Sequence, residues 1–146
     1  MSTGKKAILL IIIILILDQI LKIWVKTHMV IGEDIPLLGK RGMIHFIENN
    51  GMAFGMEMGG KGGKLILSIF RIIAICAIGW FLNSIIKKNA YPGLIFAVSV
   101  ILAGAIGNII DSAFYGIIFS ESFHEPAVLF PPGGGYSSFL DRKSVV

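Results

Sequence analysis

Three long apolar stretches, at about 7–27, 65–86 and 93–118, constrain this chain more than any other feature. A bilayer core is about 30 Å thick and takes roughly 20 apolar residues to cross as a helix, and each stretch meets that length. The first opens on AILLIIIILIL after Lys5 and Lys6, a run that by itself has the form of a secretion-signal core. No small-residue cleavage site follows it, and DQILKIWVK continues the helix, so it reads as a retained span. Composition agrees, with 55% hydrophobic and 15% charged residues and a mean hydropathy of +0.82. The expected class is an all-α integral membrane protein with three spanning helices present.

The formal charge of +4 does not argue for nucleic acid, because the Lys and Arg residues sit in short clusters beside the apolar runs, where they act as topology signals. Two such clusters, Lys5 with Lys6 and Lys87 with Lys88, predict a cytoplasmic N-terminus and a cytoplasmic link between spans two and three. Residues 28–64 and those from 119 onward then lie outside; Lys40, Arg41, Lys61 and Lys64 stand against this assignment. The single cysteine, Cys76, cannot form an internal disulfide and falls in an apolar run, as a small buried residue does.

Between spans one and two, Gly39-Lys40-Arg41-Gly42 forms a turn between short apolar runs, which predicts strands near 35–38 and 43–48 and a small hairpin at the outer membrane surface. The outer β-rich segment is placed at about 30–58 and a Pro-, Gly- and Ser-rich outer loop at about 119–142, the whole of 1–146 forming one membrane-embedded domain. The final SVV reads as the start of something apolar.

Polar residues inside the spans are the functional candidates. Asp18 and Lys22 are four apart with the acid first, so they share a face and pair. Asn108 and Asp111 are three apart, with Gly104 on the same face, and Gly104 and Gly107 are small enough to let a neighbouring helix approach closely. Asp111 has no basic residue within reach on its own helix, since its i±3 and i±4 neighbours are Gly107, Asn108, Phe114 and Tyr115. It lies about five residues beyond the centre of its span, roughly 7 Å toward the outer face at 1.5 Å per residue. Asp18, the ENNGMAFG loop and Asp111 are therefore expected to converge at the outer boundary, where water and an extended peptide can meet.

Other signals carry little. GMEMGGKG lacks the hydroxyl residue of a phosphate-binding loop, Gly62 standing in its place, and no buried strand precedes it. His28, His45 and His124 do not have metal-ligand spacing, so no metal or other cofactor is expected. Arg71 reads as a side chain snorkelling to the interface, and Met43, Met52, Met56 and Met58 as packing or lipid contacts.

In order and spacing, DQILK in span one, ENNGMAFG after the hairpin and GAIGNIIDS in span three resemble the lipoprotein signal peptidases (signal peptidase II), over nearly the whole chain. The resemblance implies a membrane aspartic endopeptidase of the bacterial inner membrane, with four spanning helices and an outer β-cradle. It also implies a substrate, a prolipoprotein cut just before a cysteine that carries diacylglycerol. Carried over by motif, Asp111 is one of two catalytic aspartates and Asn108 orients the pair or the scissile peptide. Asp18, Lys22, Asn50, Gly51, Ala53, Phe54, Gly104 and Gly107 support the site or the substrate backbone. The second aspartate follows a VVD pattern in the family, and KSVV at 143–146 brings it to the position just beyond Val146. Asp141 precedes the valines and does not match. On this reading the 146 residues are a C-terminally shortened member, missing the fourth helix and inactive as they stand. The competing readings are a three-span carrier relaying charge through Asp18, Lys22 and Asp111, and a scaffold packing a partner helix on Gly104 and Gly107.

Overall fold

Apolar side chains set around the whole circumference, rather than on one stripe, make helices that must be covered by lipid or protein on every side. The computed structural model, which describes residues 2–37, 39–49, 60–136 and 144–145, has three such helices: α1 (Thr3–His28), α2 (Gly60–Lys87) and α3 (Pro92–Ile118). Each contains a stretch long and apolar enough to cross a membrane, and large side chains such as Leu17, Ile20, Phe70 and Trp80 stand more than half exposed, as lipid contact requires. The chain is a multi-pass membrane protein.

Local chemistry explains the helix ends. The Ser2 side chain accepts from the Lys5 amide at 3.4 Å, and Pro92 opens α3 at a position where its missing N–H costs nothing. Between α2 and α3, Asn89 takes a left-handed φ of 49°, which asparagine tolerates better than most residues. The helices pack α1 on α3 and α2 on α3, with little contact between α1 and α2.

The segment between α1 and α2 begins as a hairpin. β1 (Asp34–Pro36) pairs antiparallel with β2 (Met43–His45) in the register Asp34↔His45, Ile35↔Ile44 and Pro36↔Met43, around a 3-10 turn at Gly39–Arg41. Both strands are shorter than expected: beyond His45, Phe46 still bonds the Glu33 carbonyl and the Gly32 amide while its buried ring joins the apolar cluster of Val25, Tyr115 and Phe119, and the chain then forms a separate strand β3 (Glu48–Asn49). β3 pairs with β4 (Ser144–Val145), so the apolar SVV run belongs to a second two-stranded sheet. The loop after α3 is well tied. Phe119 bridges Leu129, the amides of Ser120 and Phe130 bond the carbonyls of Val128 and Ile118, and the Ala127 amide bonds the Lys26 carbonyl at 2.8 Å.

Two apolar clusters result. One, at the hairpin end of the helices, joins Val25, Met29, Phe46, Tyr115, Phe119, Ala127 and Val145; the other, at the opposite end, joins Ala7, Leu82, Ile85, Ile95, Val98 and Leu102. The polar residues of α1 and α3 lie between them.

Candidate active site

Residues 18, 19, 22 and 26 fall on one face of α1, and residues 104, 107, 108, 111 and 115 on one face of α3. These faces meet. Lys22 Nζ donates to Asp111 Oδ2 at 2.8 Å, Asp18 Oδ2 at 3.0 Å and Asn108 Oδ1 at 3.2 Å, which uses all three donors of an ammonium group. Gln19 Nε2 donates to Asp111 Oδ1 at 3.0 Å and Asp18 Oδ2 at 3.2 Å. The Gln19 amide is held in that orientation by Tyr115, whose hydroxyl donates to Oε1 at 3.0 Å. The expected Asp18–Lys22 pair is present, and the partner that Asp111 lacks on its own helix comes from α1.

Close approach of the two helices is what permits this cluster. A Cβ on Gly107 would stand 2.5 Å from Asp18 Oδ2 and 3.3 Å from its Cγ, so only glycine admits the carboxylate. Gly104 differs from expectation: it is exposed, has nothing within 4 Å of where its Cβ would lie, and forms part of a cavity wall rather than a helix seam.

That cavity, of about 360 Å³, is lined by Asp18, Leu21, Lys22, Val25, Ile44, His45, Gly104, Asn108 and Val145. It thus joins the polar faces of α1 and α3 to residues of β2 and β4. Asp111 sits behind it: its side chain is wholly buried, and both oxygens are occupied by Lys22 and Gln19. Of the residues expected to support the site, Asp18, Lys22, Asn108, Gly104 and Gly107 come together, whereas Asn50, Gly51, Ala53 and Phe54 lie outside the described residues.

The chain matches the family described as Signal peptidase (SPase) II over residues 10–142. It belongs to the signal peptidase II family. The lipoprotein signal peptidase of Porphyromonas gingivalis is 46% identical over 143 residues, covering 97% of this chain and 62% of that protein. Proteins of the same name from Amoebophilus asiaticus and Clostridium tetani are 42% and 31% identical, over 70% and 82% of this chain and 45% and 78% of their own lengths. The chain therefore spans about three fifths of the length of the P. gingivalis relative. No solved structure gives a significant match.

Within this signal peptidase II chain, several contacts have no counterpart in a reading of single motifs. Arg71 does not snorkel outward: its guanidinium donates to Ser112 Oγ at 2.5 Å and lies within electrostatic reach of Asp111. Lys26 is fully buried and pairs with Glu48 of β3, with the Ser122 hydroxyl at 3.4 Å and the rings of Phe46, Phe119 and Tyr136 at 5.0 to 5.9 Å. Its i+4 spacing from Lys22 was visible in the sequence; its acid partner, 22 residues away, was not. Gln19 stands inside the DQILK motif, but its bridging role appears only when α3 supplies Asp111 and Tyr115. His45 and Asp34, opposite each other on β1 and β2, form a pair at 2.5 Å at the cavity edge.

Proposed function

We propose that this chain is the site-bearing part of a membrane aspartic endopeptidase that removes signal peptides from diacylglyceryl-modified prolipoproteins, one membrane-embedded domain in the bacterial inner membrane, with a cytoplasmic N-terminus and an outward-facing site. The observation that carries this reading is the Lys22-centred cluster of Asp18, Asn108 and Asp111, backing a cavity whose other wall is short extended strand. A peptide in that cavity has polar groups on one side and strand residues on the other. Family membership does not favour the carrier or the scaffold.

Aspartic proteolysis needs two carboxylates that share a proton, one taking a proton from the attacking water while the other donates to the carbonyl oxygen. In the reading taken from the motifs, Asp111 is one acid, and the KSVV segment stands where the family's VVD pattern begins. That segment reaches the same cavity: β4 is tied to β3, and Val145 lines the cavity. Asp111 is also a buried anion with both oxygens occupied, which adds a second part to that of the acid: it holds Lys22 toward Asp18 and Asn108. The pair Lys22→Met and Asp111→Asn tests this second part. If Asp111 anchors Lys22, the double variant recovers the thermal stability lost by Asp111→Asn alone, since removing both members of a buried pair costs less than stranding one. If the two do not pair, the two losses add.

The proposal is tested with the full natural protein in detergent, supplied with a diacylglyceryl-modified precursor and the same precursor unmodified. Cleavage of the modified form just before its lipidated cysteine, with the unmodified form left intact, is the expected result. Equal cutting of both, or of neither, counts against it.

A further inference from the structure

A substrate-binding cavity can be read from the hydrogen-bonding atoms that protein partners leave unused. Three stand out among the described residues here. Asn108 uses Oδ1 to accept from Lys22, which leaves its Nδ2 donors without a partner. Asp18 uses Oδ2 for Lys22 and Gln19, which leaves Oδ1. His45 uses Nδ1 toward Asp34, which leaves Nε2.

The His45–Asp34 geometry follows from strand register. Backbone bonds join Phe46 to Glu33 and Leu37 to Gly42, so the alternation of an antiparallel ladder makes Asp34↔His45 a pair that does not exchange backbone hydrogen bonds. In such pairs the side chains stand closest, which brings Nδ1 to 2.5 Å from Asp34 Oδ1. A carboxylate only accepts, so the ring carries a proton on Nδ1, and the tautomer this sets has the lone pair on Nε2. The side chains are 44% and 54% exposed, so neither residue is there to fill a core. The same alternation turns the backbone N–H and C=O of His45 away from β1, toward the other edge of β2, which no strand among the described residues covers.

We propose that His45, its tautomer set by Asp34, is a substrate-contact residue that accepts a backbone N–H from an extended peptide lying between β2 and the Asp18–Asn108 face of the cavity. Acceptors at Asp18 and His45 and a donor at Asn108 match the alternating N–H and C=O groups of an extended backbone, and they read no side chain. Ile44, Leu21 and Val25 supply the apolar wall against which side chains rest. This inference rests on the peptidase reading, and it concerns binding rather than the bond-breaking step.

The test uses the full natural protein and a fluorescent diacylglyceryl precursor peptide, with cleavage kinetics measured in parallel with equilibrium binding to a non-cleavable analogue. His45→Phe keeps the ring and loses the acceptor; His45→Gln keeps an acceptor. Phe is expected to raise both KM and Kd about tenfold, the size of one lost hydrogen bond, with kcat within about twofold of wild type, and Gln to recover most of the loss. Asp34→Asn, which frees the ring, is expected to fall between. A second arm replaces single backbone amides of the peptide with esters: one position weakens binding to wild type and has no effect on His45→Phe. If His45→Phe binds within twofold of wild type, or if no ester position depends on His45, the inference is overturned. Wild type that binds the analogue but cleaves nothing overturns the peptidase reading and leaves His45 to be judged by the binding arm. Wild type that does neither overturns both.

Discussion

Lys22 has three N–H donors and three acceptors, drawn from two helices. An ammonium group satisfied in that way is costly to disturb, because two of the acceptors left behind, on Asp18 and Asp111, are charged and Asp111 is buried. Gly107 shows how little room the arrangement leaves. Gly107→Ala is expected to push Asp18 away and to lower cleavage by at least tenfold, while Gly104→Ala, which meets nothing within 4 Å, stays within about twofold; paired rate measurements decide it. Lys26 obeys the same logic at the hairpin end. Lys26→Met takes from the buried Glu48 carboxylate its lysine partner, a loss of about 3–5 kcal/mol, whereas Lys26→Met with Glu48→Gln recovers most of it, as thermal unfolding in detergent should report. The sequence announced some of these residues and concealed others. Asp18 with Lys22, and Asn108 with Asp111, follow from spacing on a single helix. The links from Lys22 to Asp111, from Lys26 to Glu48 and from Gln19 to Tyr115 join positions that only tertiary packing makes neighbours.

At the level of elements, α1 acts as a rail. Asp18, Lys22 and Lys26 succeed one another at four-residue intervals, and the two lysines tie it first to α3 and then to β3. Helix positions were legible because a span of about 20 apolar residues has few alternatives in a bilayer. Strand positions were less so. A two-residue strand such as β3 carries no periodicity, and its partner β4 lies almost a hundred residues later. The direction of the spans remains a proposal drawn from Lys5, Lys6, Lys87 and Lys88, and it is open to labelling. With Cys76 replaced by alanine, a cysteine at Arg41 should react with a membrane-impermeant maleimide on intact spheroplasts, and one at Lys88 only after the membrane is permeabilised. The reverse pattern would invert the assignment and turn the cavity toward the cytoplasm.

For the whole molecule, the apolar clusters on either side of the polar layer do different work. The one around Leu82, Ile95 and Val98 holds the three helices together among lipid; the one around Phe46, Phe119 and Val145 seats both small sheets and the loop from 119 to 136 on the helix ends. Between the two clusters Asp111 is buried and Lys22 nearly so, which strengthens their electrostatic interaction, while Asp18 and Asn108 face the cavity. The central claim is that this polar layer serves proteolysis of a lipidated precursor. Its most direct test is the cleavage rate of that precursor by the full natural protein carrying Asp111→Asn. As an acid or as the anchor of Lys22, Asp111 is needed, and the account predicts a fall of about 100-fold or more with the protein still folded. A rate within about threefold of wild type would contradict it, because the cluster would then be packing alone.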